Sequence, residues 1–463
     1  MHRPSTVRRL LHLVNRVAQA DQKSIPWTQQ KSRQFHVQTK LNTDGVFKEL
    51  TEQRVLTPWI TALRSRQAQD GKGAEPSEPG KPMRRTLEPK RMSDSYHRVI
   101  LPLAKDPWLS DTYLNADGHI RLGAIFMDLD ALSGVIAYKH TGDSVTTVTA
   151  AFDRITIKHP LTEICDLELS GQVTYATGRS SMEISLQVAK DPGPDGVRGE
   201  DDILLNCNCT MVSLDPVTRK PTNIHPLTIE TPEERRLYER GEQNSQRRRE
   251  QANTSLVKYT PNDEESDLIH NIWQKHIEFD DPNNLLTKPG NVHFIESTRI
   301  QTTQIMQPQY RNRHNFMVFG GFLLKQAFEL AFCCAASFSH QRPSFLSLDP
   351  STFENPVPVG SVLYLSARVV YTDPPLVPGV GEVAEQDSSR TRLHVRVDSK
   401  VRDVAHGATK PTGTFNYTFV VDRDIKVMPR TYTEFMMYID ARRRLKKVDR
   451  TLVDIRTKGN VTE

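Results

Sequence analysis

Arg121-Leu-Gly-Ala-Ile-Phe-Met-Asp-Leu-Asp130-Ala-Leu-Ser-Gly134, followed by Val145-Thr-Thr-Val-Thr-Ala-Ala-Phe-Asp-Arg-Ile-Thr-Ile-Lys-His-Pro160, has a counterpart about two hundred residues further on. The second copy runs Phe319-Gly-Gly-Phe-Leu-Leu-Lys-Gln-Ala-Phe-Glu329-Leu-Ala, then Phe345-Leu-Ser-Leu-Asp-Pro-Ser-Thr-Phe-Glu-Asn-Pro356. Each reads as a Gly-opened apolar helix, a strand, a Pro turn and further strands. A repeat of this kind is one supersecondary unit used twice. A site between the copies must draw on both.

Strand-like alternation follows each helix: Val145 to Lys158, Cys165 to Thr174, Ser181 to Ala189 and Ile203 to Leu214 in the first copy, and Phe345 to Phe353, Val362 to Tyr371, Leu393 to Val401 and Gly413 to Val421 in the second. Opening strands are expected at Tyr96–Leu103 and Asn291–Ile300. One long helix with an antiparallel run of strands is an α+β unit whose sheet must wrap the helix. Phe322, Leu323, Leu324, Ala327, Phe328, Leu330, Ala331 and Phe332 leave the second helix no solvent face. Lys325, Gln326 and Glu329 within 316–336 argue for a buried helix rather than a membrane span.

A length of 463 residues accommodates two such units. The expected organisation is a presequence at 1–40, an extension with a flexible linker at 41–93, units at 94–215 and 291–421, a charged helical linker at 216–290, and a tail at 422–463. The first 40 residues hold Arg3, Arg8, Arg9, Arg16, Lys23, Lys31, Arg33 and Lys40 against Asp21 alone, with Leu and Val interleaved. That composition is expected of a presequence for import into the mitochondrial matrix, with a solvated disordered tail as the alternative. Without it the net charge moves from +5 to −2, so overall basicity is no argument for nucleic acid. Cys165, Cys207, Cys209, Cys333 and Cys334 have no C-x-x-C spacing and read as reduced core thiols. The linker carries an N-cap at Thr231 with Pro232 behind it, and a run Arg247-Arg-Arg-Glu that meets phosphates or lies on a solvated connecting helix.

Within Leu122–Gly134 the ionisable residues are Asp128 and Asp130, pointing about 200° apart, so one of them faces the seam. The Gly320–Gly321 pair at a helix start lets a ligand approach backbone N–H groups at the positive end of the helix dipole. Ahead of it lies Tyr310-Arg-Asn312-Arg-His314-Asn315.

These cores, with Arg342-Pro343, Phe353-Glu-Asn-Pro-Val-Pro-Val-Gly360, Phe152-Asp153-Arg154 and Gly178-Arg179-Ser180-Ser181-Met182-Glu183, resemble the double hotdog acyl-coenzyme A thioesterases. Thr231-Pro-Glu-Glu and Gly241-Glu with its trailing arginines are similar to the mitochondrial branch. The resemblance covers about residues 94–421. It implies a tandem hotdog hydrolysing acyl-coenzyme A at the seam, with no metal or organic cofactor. A homo-oligomer is expected, with neither nucleic acid nor a membrane span.

The resemblance places the family's helix carboxylate seven residues beyond Gly123, at Asp130; a purely structural Asp is the alternative. Gly321 and Gly320 amides are expected around the developing oxyanion, with Asn315 or Asn312 orienting water or carbonyl, or merely capping the helix. A mirror site would set Glu329 against the loop from Asn115 to Arg121, unless Glu329 is ion-paired to Lys325. Arg179, Ser180 and Ser181 resemble the family's coenzyme-proximal turn, with Lys158 or His159 nearby in the pattern. An acyl-thioester hydratase and a non-catalytic hotdog subunit are the competing functions. No tight Asp-x-x-x-x-His signature supports the first, and an intact Asp130 with Gly320–Gly321 weighs against the second.

Overall fold

The computed structural model describes residues 57–71 and 87–459, except 159–162, 194–195, 197–198, 217, 254–255, 257, 285–286, 314 and 383–388. The presequence expectation, His159 and His314 lie outside the described residues. In the first half the strands are β1 (His97–Leu101), β2 (Thr146–Phe152), β3 (Ile155–Ile157), β4 (Leu167–Ala176), β5 (Ser181–Lys190) and β6 (Ile203–Leu214). In the second they are β7 (Ile300–Ile305), β8 (Ser344–Leu348), β9 (Ser351–Thr352), β10 (Val362–Asp373), β11 (Thr391–Arg402) and β12 (Thr409–Val421).

All belong to one twelve-stranded sheet ordered β7-β10-β11-β12-β8-β3-β6-β5-β4-β1, with β2 joined to β6 and β9. The order reads alike from either end, as a duplication requires. At the join β8 pairs antiparallel with β3 (Ser347 with Thr156), and β9 pairs with β2 (Ser351 with Phe152). The sheet wraps two core helices, Leu122–Thr141 and Gly320–Ser339, which also pack on each other. Gly320–Ser339 is the one described helix long and apolar enough to cross a membrane, but β10, β11, β12 and the first core helix enclose it. Each half is therefore a helix held in a curled antiparallel sheet, and the chain is a tandem hotdog.

Three expectations change. The second half does not open at Asn291: Val292–Phe294 leaves the main sheet to pair in parallel with Lys426–Met428, and the edge strand is β7. The extension-and-linker reading of 41–93 gives way to a helix at Trp59–Gly71 and to Lys90–Arg91 paired with Leu227–Thr228, with Met92 buried. Residues 422–463 are not a tail. Tyr432–Gly459 is a helix whose Phe435, Tyr438, Ile439 and Ala441 are buried in the second half.

That helix repeats the linker helix Pro232–Asn253. Both start in a reciprocal cap: Thr231 Oγ1 accepts from Glu234 N while Glu234 accepts from Thr231 N, and Thr431 does the same with Glu434. Both strap a seam aspartate. Arg248 holds Asp153 at 2.8 and 3.0 Å, and Arg444 Nε donates to Asp349 at 3.1 Å. Arg154 also reaches across the seam to Asp349. The Arg247-Arg-Arg run is thus not a phosphate patch at its centre, since Arg248 is also bonded to the buried Glu183 at 2.9 Å.

Candidate active site

The two helix aspartates separate as their spacing requires. Asp128 turns into the first half, where the Tyr113 hydroxyl donates to one oxygen and the other has no partner among the described residues. Complete burial pushes its carboxyl up to about 7, against the opposing pull of Tyr113 and Lys325. Asp130 faces the seam and is 4% exposed. Its Oδ2 accepts the Gly321 N–H at 2.5 Å, and its Oδ1 accepts the Thr149 hydroxyl at 2.7 Å. A carboxylate from one half therefore sits on the helix N-terminus of the other, where unpaired amides and the helix dipole favour negative charge.

Only glycine permits this approach. A Cβ on Gly321 would lie 2.7 Å from Asp130 Cβ and 2.9 Å from Met127 O. At Gly320 a Cβ would meet the Phe353 ring at 3.0 Å and Asp130 Oδ2 at 3.4 Å. The Gly321 amide, expected to face a substrate oxygen, instead holds the carboxylate.

Neither Thr149 nor Phe353 is singled out by the sequence. Thr149 is one of three threonines in Val145–Thr149, and nothing local marks the one that the strand's register sets opposite Asp130. Phe353 arrives beside Gly320 because its N–H bonds Ala150 O across the seam.

The loop asparagines brace their own segments. Asn315 has a left-handed backbone (φ 63°) and accepts from Arg311 Nε at 3.1 Å, while the Asn312 backbone closes the turn to Met317 and Asn315. Asn115 accepts from the N–H groups of Asp117 and His119, which closes a turn of its own loop.

At the mirror position the same helical count meets an aromatic residue. Seven residues beyond Gly321, where the first half has Asp130, stands Phe328, and its ring lies 3.5 Å from a Cβ built on Gly123. Thr149 precedes a bulge and pairs with Met211; its counterpart before the matching bulge is Phe345, paired with Phe419. Phe328, Phe345 and Phe419 pack edge-on or tilted at 5.4 to 6.1 Å, joined by Phe126. Glu329 pairs with Arg121 at 2.5 Å rather than with Lys325, and its Oε1 lies 3.6 Å from the same Cβ built on Gly123.

The remaining residues do not converge. Arg179, Ser180 and Ser181 form the turn into β5, with Ser180 O accepting Ser213 N and Arg179 exposed. Lys158 is bonded through its N–H to Leu204 O, level with Val188 and Ala189 at the far end of β5 and about 25 Å along the strand. One phosphate group cannot meet both. Among the described residues no group of His, Cys, Asp or Glu is placed to hold a metal ion.

No family model matches the chain. It is 33% identical over 369 residues to human "acyl-coenzyme A thioesterase 9, mitochondrial", covering 77% of this chain and 78% of that protein. It is 31% identical to "acyl-coenzyme A thioesterase 2, chloroplastic" of Humulus lupulus, covering 76% and 78%. A solved acyl-ACP thioesterase from Bacteroides thetaiotaomicron aligns over 71% of this chain and all of its own, at 12% identity and a TM-score of 0.37.

Proposed function

The chain belongs to the acyl-coenzyme A thioesterases, and on that premise we propose that it hydrolyses acyl-coenzyme A to free acid and coenzyme A at one seam site per chain, centred on Asp130. The observation that carries this is the buried Asp130 carboxylate fixed by the Gly321 amide and the Thr149 hydroxyl. The two donors hold the carboxylate in place as the group that takes a proton from an attacking water. Water oxygen adds to the thioester carbonyl and its proton passes to Asp130. The carbon–sulfur bond then breaks, and that proton leaves on the coenzyme A thiol.

Charge building on the carbonyl oxygen is met by the N-terminus of the second core helix, where Gly320 lets the carbonyl come close. Asn312 or Asn315 would orient that carbonyl. The mirror position is silent in this reading, because Phe328, Phe345 and Phe419 replace the carboxylate, the hydroxyl and the methionine behind it. The basic, acid-poor first 40 residues and the mitochondrial names of relatives support a mitochondrial, specifically matrix, location.

The test is release of coenzyme A thiol from acyl-coenzyme A substrates, acetyl to long-chain, by protein lacking residues 1–40. Asp130→Asn should lower kcat by about two to four orders of magnitude with the melting transition retained. No hydrolysis of any chain length would end the activity reading. Full activity in Asp130→Asn would end the site assignment.

A further inference from the structure

The helix Trp59–Gly71, which precedes the first half in the chain, docks on the second half, against the loop 310–319 that leads into Gly320. Trp59 packs edge-on against the Phe316 ring with centroids 5.7 Å apart. Arg66, about two turns further along the same helix face, sets its guanidinium 4.5 Å from the centre of that ring. Arg311 closes the clasp from inside the loop: Nη2 donates to Thr57 O at 3.0 Å, Nη1 to Pro308 O at 3.1 Å and Nε to Asn315 Oδ1 at 3.1 Å. The loop is also tied to the first half, where Arg313 bonds Asp143 at 2.6 Å and lies over the Tyr138 ring. The corresponding loop of the first half makes the same tie with the charges exchanged, Asp117 to Arg342, but its Asn115 side-chain oxygen is taken by its own backbone.

We propose that Arg311 and the helix Trp59–Gly71 form a positioning clasp that presents the Asn315 side-chain amide to the thioester carbonyl. The proposal rests on the thioesterase reading and singles out Asn315 from the two loop asparagines. A guanidinium carries donors only, so the Asn315 atom facing it is the amide oxygen and the NH2 group is turned the other way. Among the described residues that NH2 group has no acceptor, which leaves its donors for an oxygen that gains charge as water adds. Asn315 is half-buried, so a ligand can reach it. Its backbone, at φ 63°, lies in the left-handed region, which Asn tolerates and which persists where neighbours fix it. With Arg311 withdrawn, the amide presents its oxygen as readily as its nitrogen, and an amide oxygen repels a developing anion.

The test is kinetic and uses the full chain with an acyl-coenzyme A. Asn315→Ala should lower kcat by about a hundredfold, the scale of one oxyanion donor. Arg311→Met should lower kcat by about tenfold or more with KM within about twofold, because the amide acts on charge formed only in the transition state. Placed in the Asn315→Ala background, Arg311→Met should change kcat by less than about twofold, as expected when one residue acts only through the other. Trp59→Ala should cost about three- to tenfold in kcat and speed amide hydrogen exchange across 310–319, and Trp59→Phe should restore both. Should Arg311→Met fail to fold, Trp59→Ala in the Asn315→Ala background carries the same comparison.

Losses that multiply when Arg311→Met and Asn315→Ala are combined would make Arg311 a structural brace and overturn the proposal. So would a rise in KM at constant kcat, or a Trp59→Ala protein with wild-type kcat and exchange. Wild-type turnover by Asn315→Ala would overturn it while leaving the thioesterase reading intact. If wild-type protein hydrolyses no acyl-coenzyme A, the thioesterase reading fails and the positioning role fails with it.

Discussion

Adding one methyl group at Gly321 should disable the site without touching an ionisable residue. The new Cβ would stand 2.7 Å from Asp130 Cβ, 2.8 Å from the Phe319 ring and 2.9 Å from the backbone oxygen of Met127. Two of these neighbours belong to the facing core helix and cannot swing aside as a side-chain tip can. Restoring ordinary contact requires the helices to part by something near 1 Å, and overpacking of this kind costs about 1–3 kcal/mol. The gain in helix propensity from glycine to alanine, about 1 kcal/mol, offsets part of that. The protein should therefore fold, with a lowered melting temperature. A reacting group displaced by about 1 Å loses on the order of a hundredfold in rate, so Gly321→Ala should lower kcat on the best acyl-coenzyme A by about that factor. Gly320→Ala is the internal comparison: its nearest neighbour is the Phe353 ring at 3.0 Å, which can rotate, so the loss should stay under about tenfold. Gly321→Ala protein that folds and turns over like wild type would refute the claim that close helix approach positions Asp130.

Glu329→Gln should leave turnover within about threefold and stability within about 1 kcal/mol, because its ion pair with Arg121 is more than a third exposed on both sides; a collapse of activity would revive the mirror site. Stability should depend on pH in two opposing ways. His140 and His394 are pushed down to about 4, chiefly by burial, so the unfolded chain binds protons below about 6.5 that the folded chain refuses, and stability falls as the pH drops from about 6.5 through 4. Asp128, held up at about 7, works the other way: the folded state keeps a proton the unfolded chain releases, so its contribution is lost as pH rises from about 4 through 7. Denaturant melts of Asp128→Asn and wild type should therefore diverge in favour of the variant between pH 5 and pH 8, and parallel curves would show that Asp128 is not protonated in the folded protein.

What the sequence made legible follows the range of the forces involved. Helix cores and strands are marked by periodicity within ten or twenty residues, and the duplication doubled the signal, so Leu122–Thr141, Gly320–Ser339 and β6 fall where the pattern puts them. The C-terminal helix was missed although its Thr431–Glu434 cap repeats Thr231–Glu234, because the pairing of each helix with a seam aspartate is fixed only by tertiary contact. The candidate site divides along the same line. Helical spacing alone says that Asp128 and Asp130 point opposite ways, and it is the family resemblance that places the carboxylate at Asp130, seven residues beyond Gly123. Its partners Thr149 and Phe353 depend on strand register against a helix, and register is invisible until β9 has met β2. The same count, carried to the second copy, lands on Phe328 rather than Glu329. Seven residues past each helix glycine, one half offers a carboxylate and the other a phenyl ring, and the bulge residues facing them, Thr149 and Phe345, differ in the same sense. Asp130 thus stands at one end of the seam and the Phe328 ring, beside the Arg121–Glu329 ion pair, at the other, and the proposed centre depends on the fused chain: the carboxylate comes from one half and the glycine amide that holds it from the other.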